Sequence, residues 1–196
     1  DLVRSRGLGD VYKRQTLIIP AAGLSTRYPT DLPKFLWRHP EGDTMLVSGL
    51  KRLAPLAIDE AIIVTLRTYL STQAQREIVR ESQATLGCNV RLALLDAPTP
   101  SMVDTIAVGI NQLNQDGPIL IKDTDNTVEI PLAQVATNEN FIVSADLRSF
   151  PDVPAANKSF VEFDSFGMLS NIVEKKITSN YINTGLVGFA SAAEFL

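Results

Sequence analysis

The chain is 196 residues long, 45% hydrophobic and 20% charged, a profile that excludes disorder and suits one globular domain with a sizeable core. Its formal net charge of −4 argues against a general nucleic-acid binder, and no apolar run reaches the roughly 20 residues needed to cross a bilayer. A lone cysteine, Cys88, excludes an internal disulfide, and a lone histidine, His39, makes no zinc site by itself.

Asp1–Gln15 shows no clean apolar period, and Val11-Tyr12-Lys13-Arg14-Gln15 reads like translated vector sequence. Residues 1–15 are therefore expected to be a non-native or disordered leader and residues 16–196 the domain. The stretch also lacks the successive basic, apolar and small-residue regions of a signal peptide, which points to the cytoplasm, with no membrane or nucleic-acid partner.

Thr16–Pro20 is a short apolar run that predicts a buried strand, and a loop with Gly, Ser, Thr, Pro and Asp follows it. The spacing then predicts a helix over Met45–Leu53, a strand over Ala61–Leu66, an exposed helix over Ser71–Gln83 and a strand over Val90–Leu95. A helix over Val103–Leu113 and a strand over Pro118–Lys122 continue the alternation, which implies a parallel sheet covered on both faces. Beyond Asn126 the candidates are closely spaced strands: Phe141–Ser144, Lys158–Phe163, Met168–Lys175 and Tyr181–Phe189. Asp164-Ser165-Phe166-Gly167 has the chemistry of a hairpin turn, so this part adds antiparallel strands. At Ala193–Leu196 the chain stops within a helical pattern and reads as a fragment.

Residues 1–40 carry seven basic and three acidic side chains, a net of +4, which leaves −8 on the rest. That positive charge coincides with Pro20-Ala21-Ala22-Gly23-Leu24-Ser25-Thr26-Arg27, followed by Pro33-Lys34. Small residues let a backbone approach a ligand, and a loop leaving a strand can aim several N–H groups at phosphate oxygens. Arg27 can fork onto two phosphate oxygens and Lys34 supplies a compact point charge. Alone, such a loop is more readily read as an ordinary strand-to-helix turn with two solvated cations.

The combination resembles the sugar-phosphate nucleotidylyltransferases and their cytidylyltransferase relatives, whose first strand leads into an Ala/Gly-Gly-x-Gly-Thr-Arg loop and then Pro-Lys. The form Ala-Gly-Leu-Ser-Thr-Arg with Pro-Lys-Phe-Leu looks most like the branch found in capsule and surface-polysaccharide gene products. The resemblance implies a three-layer α/β/α Rossmann-like nucleotidyltransferase fold, with a mostly parallel central sheet and antiparallel strands added in the C-terminal part. It also implies that Ala21, Ala22, Gly23, Leu24, Ser25 and Thr26 wrap a nucleotide, that Arg27 holds the β and γ phosphates, and that Lys34 contacts the α phosphate. Ser25 departs from the commonest pattern, which has glycine there. Ser101 and Thr105 fall near where the family reads the nucleobase.

Asp123-Thr124-Asp125-Asn126, just past a strand, resembles the family's metal-binding aspartate. Magnesium favours carboxylate oxygens together with substrate phosphates, and parallel sheets bind ligands at strand exits, so Asp125 and then Asp123 are metal candidates. An Asx turn is the alternative for the same residues. By resemblance Glu174 and Lys175 contact an acceptor, as do Asn183, Thr184 and Gly185; a surface charge cluster and a glycine bulge are the plainer readings. The implied activity is Mg2+-dependent transfer of a nucleoside monophosphate from a nucleoside triphosphate to a sugar phosphate or a phosphocholine-like acceptor, with release of pyrophosphate. The rivals are a glycosyltransferase using a nucleotide sugar, against which the Arg27 and Lys34 pair argues, and a nucleotide-binding module without turnover. Gly7-Leu8-Gly9 precedes the first strand and is no dinucleotide fingerprint.

Overall fold

The computed structural model describes residues 15–24, 32–40, 42–56, 58–127 and 139–196. Four strands, β1 (Gln15–Ala21), β2 (Ile58–Leu66), β3 (Asn89–Leu95) and β4 (Ile119–Lys122), pair in parallel in the order β3-β2-β1-β4. Helices α1 (Met45–Leu53), α2 (Thr72–Leu86) and α3 (Met102–Gln112) lie between them in sequence. Such strands are buried on both faces, which is why β1 and β2 read as continuous apolar runs rather than alternating ones.

The side chains divide by parity. Leu17 and Ile19 of β1 and Ile63 of β2 join Leu46, Leu50 and Leu53 of α1 and Ile78 of α2 on one face. Ile18, Ile62 and Val64 join Ile106 and Ile110 of α3 and Ala192 of α4 (Ala192–Phe195) on the other. Three layers follow from this two-sided burial. The helix starts are capped: the hydroxyls of Thr44, Ser71 and Ser101 accept from the backbone N–H groups of Val47, Ala74 and Asp104.

On the second face the spacing between α3 and the sheet is set by Gly109, where an added Cβ would fall far inside contact distance of a Val64 methyl. Gly109→Ala would gain about 1 kcal/mol of helix propensity. Overpacking a filled site costs about 1–3 kcal/mol, and Val64 is β-branched, stiff and fully buried, so the clash prevails. Thermal unfolding of Gly109→Ala is therefore expected below that of the parent chain; an equal or higher midpoint would refute this account of the layer spacing.

The remaining strands are β5 (Phe141–Asp146), β6 (Ser159–Phe163), β7 (Leu169–Glu174) and β8 (Tyr181–Phe189), all antiparallel to their neighbours. The β6–β7 turn is tied by Asp164, whose side chain accepts from the N–H groups of Phe166 and Met168, with Gly167 at φ +78°.

β8 is the joint of the sheet. β5 runs along one of its edges, pairing Phe141 with Gly188 and Asp146 with Tyr181. The opposite edge is divided between β4, which pairs with residues 186–189, and β6, which pairs with residues 181–182. Residues 183–185 face the gap between those two strands, and β4 ends at that gap.

Candidate active site

β1 delivers Ala21 and Ala22, both buried, to the exit of the parallel sheet, and Gly23 and Leu24 emerge exposed. The hydroxyl of Thr65, at the neighbouring end of β2, donates to the Ala21 carbonyl at 3.0 Å, and the Tyr69 hydroxyl donates to the Gly23 carbonyl at 3.1 Å. With those carbonyls occupied, the start of the loop is held from the β2 side. Ser25, Thr26 and Arg27 lie outside the described residues.

Lys34 opens a short 3-10 turn, Lys34–Leu36, fastened by buried Phe35. Its ammonium meets the Asp125 carboxylate at 2.8 Å, across 91 residues of sequence. Lys34, Asp123 and Asp125 line one crevice of about 510 Å³ together with Ala21–Leu24, Ser101 and Thr105. The two residues expected near the nucleobase, Ser101 and Thr105, already have hydroxyl partners within the chain. Ser101 caps α3 and donates to Asp104 at 2.7 Å; Thr105 donates to the Ser101 carbonyl at 3.1 Å and lies 2.5 Å from the Thr99 hydroxyl.

Asp123 is fixed from every side. Its N–H donates to the Gly185 carbonyl at 3.0 Å, and its carboxylate accepts from the Asn126 amide at 2.6 Å and from the Lys122 ammonium. Burial pushes its carboxyl above the usual range, the Lys122 ammonium opposes that shift, and the Asp125 charge adds to it. Lys122 is only 2% exposed and also donates to the Asp123 carbonyl at 3.0 Å. Gly185, at φ +79°, is what leaves room for this carboxylate, because a Cβ there would overlap it.

A second crevice of about 260 Å³ shares Met102, Asp123 and Asp125 with the first, and is lined further by Asn126, Lys158, Asn183 and Gly185 among others. The two aspartates thus stand between the two spaces. Thr184 turns the other way and donates to the Val143 carbonyl at 2.8 Å, as alternation along a strand requires. Glu174 and Lys175 line neither crevice: they sit exposed at the end of edge strand β7, paired with each other at 2.5 Å, with Lys175 at φ +56°. That ion pair holds the Glu174 carboxyl below its usual value.

Lys122, Tyr69, Asn157 and Lys158 escape a reading of sequence alone. Lys122 ends an apolar strand run and looks like an exposed terminus, and Lys158 opens a predicted strand with no motif to mark it. Lys122 adjoins Asp123 in sequence, whereas only the folded chain brings Asn157 and Lys158 to the crevice at the aspartates and Tyr69 to the Gly23 carbonyl.

Among the described residues no three His, Cys, Asp or Glu side chains gather as a metal cage. Two carboxylates at one strand exit nevertheless fit magnesium, which takes one or two protein carboxylates and completes its octahedron with phosphates and water. Of the two, Asp125 has the more accessible side chain, 43% exposed against 22% for Asp123.

No protein-family model matches the sequence, and no curated protein matches it. Solved structures do. A nucleoside-diphosphate-sugar pyrophosphorylase from Vibrio cholerae RC9 superposes with a TM-score of 0.72 at 18% identity, over 91% of this chain and 75% of that one. An inositol-1-phosphate CTP transferase from T. maritima gives 0.69 at 14% identity, over 90% and 71%. A UDP-glucose pyrophosphorylase complexed with UDP-glucose gives 0.67 at 13% identity, over 91% and 76%. The two-sided sheet, its parallel half and its antiparallel extension are those of the sugar-phosphate nucleotidyltransferase fold.

Proposed function

We propose that this chain transfers a nucleoside monophosphate from a nucleoside triphosphate to a phosphorylated small molecule, releasing pyrophosphate. The observation that carries the reading is the meeting of three distant segments, Ala21–Leu24, Lys34 and Asp123–Asp125, around one crevice that adjoins a second across the aspartates. Two spaces with a shared wall of charge suit two substrates that react at that wall. The similar structures bear the names of pyrophosphorylases and a CTP transferase, which supports the same reaction class here.

In this reading the loop from Ala21 wraps the triphosphate, Arg27 takes the β and γ phosphates and Lys34 the α phosphate. A phosphate oxygen of the acceptor attacks the α phosphorus, the α–β anhydride bond breaks, and pyrophosphate leaves with the bonding electrons. A phosphate monoester is already largely dianionic at neutral pH, its second pKa being about 6, so no side chain has to remove a proton. The work is positioning and neutralisation of charge. A magnesium ion held by Asp125, with Asp123 behind it, would supply further neutralisation of the phosphates when bound. Lys34 and Asp125 neutralise each other in the free chain, so binding a triphosphate exchanges partners: the ammonium goes to phosphate and the carboxylate becomes available for the cation.

The test is pyrophosphate release with magnesium, each of the four nucleoside triphosphates being paired with a panel of sugar 1-phosphates, inositol 1-phosphate and phosphocholine. Release with one pair, abolished by chelator, is the expected result. Nucleotide binding without release from any pair would replace the transferase by a nucleotide-binding module.

A further inference from the structure

The loop that leaves β1 begins with two carbonyls turned the same way. Thr65, fully buried near the end of β2, donates to the Ala21 carbonyl, and Tyr69, in the 3-10 turn Arg67–Tyr69 that follows β2, donates to the Gly23 carbonyl. Neither donor lines either crevice, so both carbonyls point out of the site and toward β2. These peptides are planar and trans, and each N–H therefore lies opposite the carbonyl that precedes it. The N–H groups of Ala22 and Leu24 are thus turned to the other side of β1. That side belongs to β4, whose exit carries Asp123 and Asp125, the latter paired with Lys34. Among the described residues nothing accepts from the Leu24 N–H. Backbone N–H groups directed into an open space beside a lysine suit an anion.

Tyr69 acts on the loop itself, where Thr65 acts on the strand. Ala21 is still in the β1–β2 ladder, paired with Thr65, and Gly23 lies beyond it. Gly23 is exposed, and a Cβ there would meet nothing within 4 Å, so packing does not fix its peptide. Among the described residues the Tyr69 hydroxyl is the group that orients it. That hydroxyl is well anchored. The ring packs against the apolar clusters on both faces of the sheet, and Leu66 and Leu70 on either side of the turn are buried. Burial also pushes the phenol above its usual value, so the group keeps its proton and stays a donor.

We infer that Tyr69 is a positioning residue for the triphosphate: its hydroxyl fixes the Gly23 carbonyl on the β2 side and thereby aims the Leu24 N–H at a phosphate oxygen. The inference rests on the proposed transfer reaction for the identity of the ligand, while the binding it describes does not require turnover.

The experiment compares the full chain with Tyr69→Phe, which keeps the ring and removes only the hydroxyl, and with Tyr69→Leu, which removes both. The probes are the four nucleoside triphosphates and inorganic triphosphate, which carries no base, read by calorimetry and by the backbone amide signal of Leu24. Losing one orienting hydrogen bond corresponds to roughly 3- to 10-fold weaker binding of inorganic triphosphate and to an equal rise in KM for the nucleoside triphosphate. KM for the acceptor stays within about twofold, since the acceptor makes no use of that peptide. Triphosphate shifts the Leu24 amide signal in the parent and shifts it less in Tyr69→Phe. The two variants behave alike toward the probes, and only Tyr69→Leu, which leaves a cavity, has a lower thermal midpoint. Weaker binding of inorganic triphosphate by Tyr69→Phe, without pyrophosphate release from any pair, keeps the inference and removes the transferase. Pyrophosphate release with an unchanged triphosphate KM in Tyr69→Phe keeps the transferase and overturns the inference. A loss confined to Tyr69→Leu, or one shared equally by the acceptor, overturns it as well. A parent chain that binds neither inorganic triphosphate nor any nucleoside triphosphate overturns both.

Discussion

Lys34→Ala is expected to lower kcat/KM for pyrophosphate release by about 10²- to 10³-fold, the range seen when one preorganised donor to a developing charge is removed. Its thermal midpoint is expected to stay close to that of the parent. The two expectations separate because the Lys34–Asp125 pair is partly exposed, at 25% and 43%, and pairs of that kind contribute about 1 kcal/mol or less to stability. Asp125→Asn preserves shape and removes charge. It should therefore lose activity while raising the magnesium concentration needed for half-maximal rate, which Lys34→Ala should not do. Arg27→Ala is expected to share the loss of turnover with the fold retained. A Lys34→Ala chain that keeps its rate within about threefold would remove Lys34 from the transfer step.

The second large effect concerns stability. Gly185→Ala combines two penalties, and a comparison with Gly167 separates them. Both glycines have φ near +78°, so each substitution forces an L-residue into the left-handed region at about 1–2 kcal/mol. Around Gly167 an added Cβ meets nothing within 4 Å, whereas at Gly185 it overlaps the Asp123 carboxylate. Displacing that carboxylate leaves Lys122, 2% exposed, without its counter-charge, and breaking a buried pair costs about 3–5 kcal/mol. For a domain of this size the larger penalty corresponds to roughly 10 °C or more of thermal midpoint. Gly167→Ala is expected to fall by only a few degrees. Equal midpoints for the two variants would show that Asp123 moves aside freely.

Much of the fold is legible in the sequence because its strongest signals are local. α1 and β8 match the expected bounds, Met45–Leu53 and Tyr181–Phe189, residue for residue. The hairpin at Asp164–Gly167 follows from turn chemistry, and α2 and α3 follow from the spacing of their apolar and polar residues. What sequence could not give is the split edge of β8, since pairing of β4 and β6 with one strand is a long-range fact without a periodic trace.

The candidate site divides in the same way. Lys34 and Asp125 stand out as residue types in context, and the fold brings them into contact. Side-chain direction is the part that resemblance carries least well. Thr184 and Asn183 are neighbours in sequence, yet only Asn183 faces the crevice, because one residue along a strand reverses the face. Glu174 and Lys175, expected at the acceptor by resemblance, pair with each other at the exposed end of β7 and line neither crevice. Lys158 and Lys122 carry no motif, and their weight comes from burial that only the tertiary structure supplies.

The position of β8 also sets an order of assembly. Strands β1–β4 can pair with one another as they leave the ribosome, but among the described residues β5 and the β6–β7 hairpin join the sheet only through β8. Until residues 181–189 emerge, those strands wait with open edges. Contacts of long sequence separation close late and open together. Amide exchange along 141–146, 159–163 and 181–189 should accordingly report one cooperative unit. The wall carrying Asn183 and Lys158 would come and go as a single piece, while the loop at Ala21 belongs to the half of the molecule that is finished first.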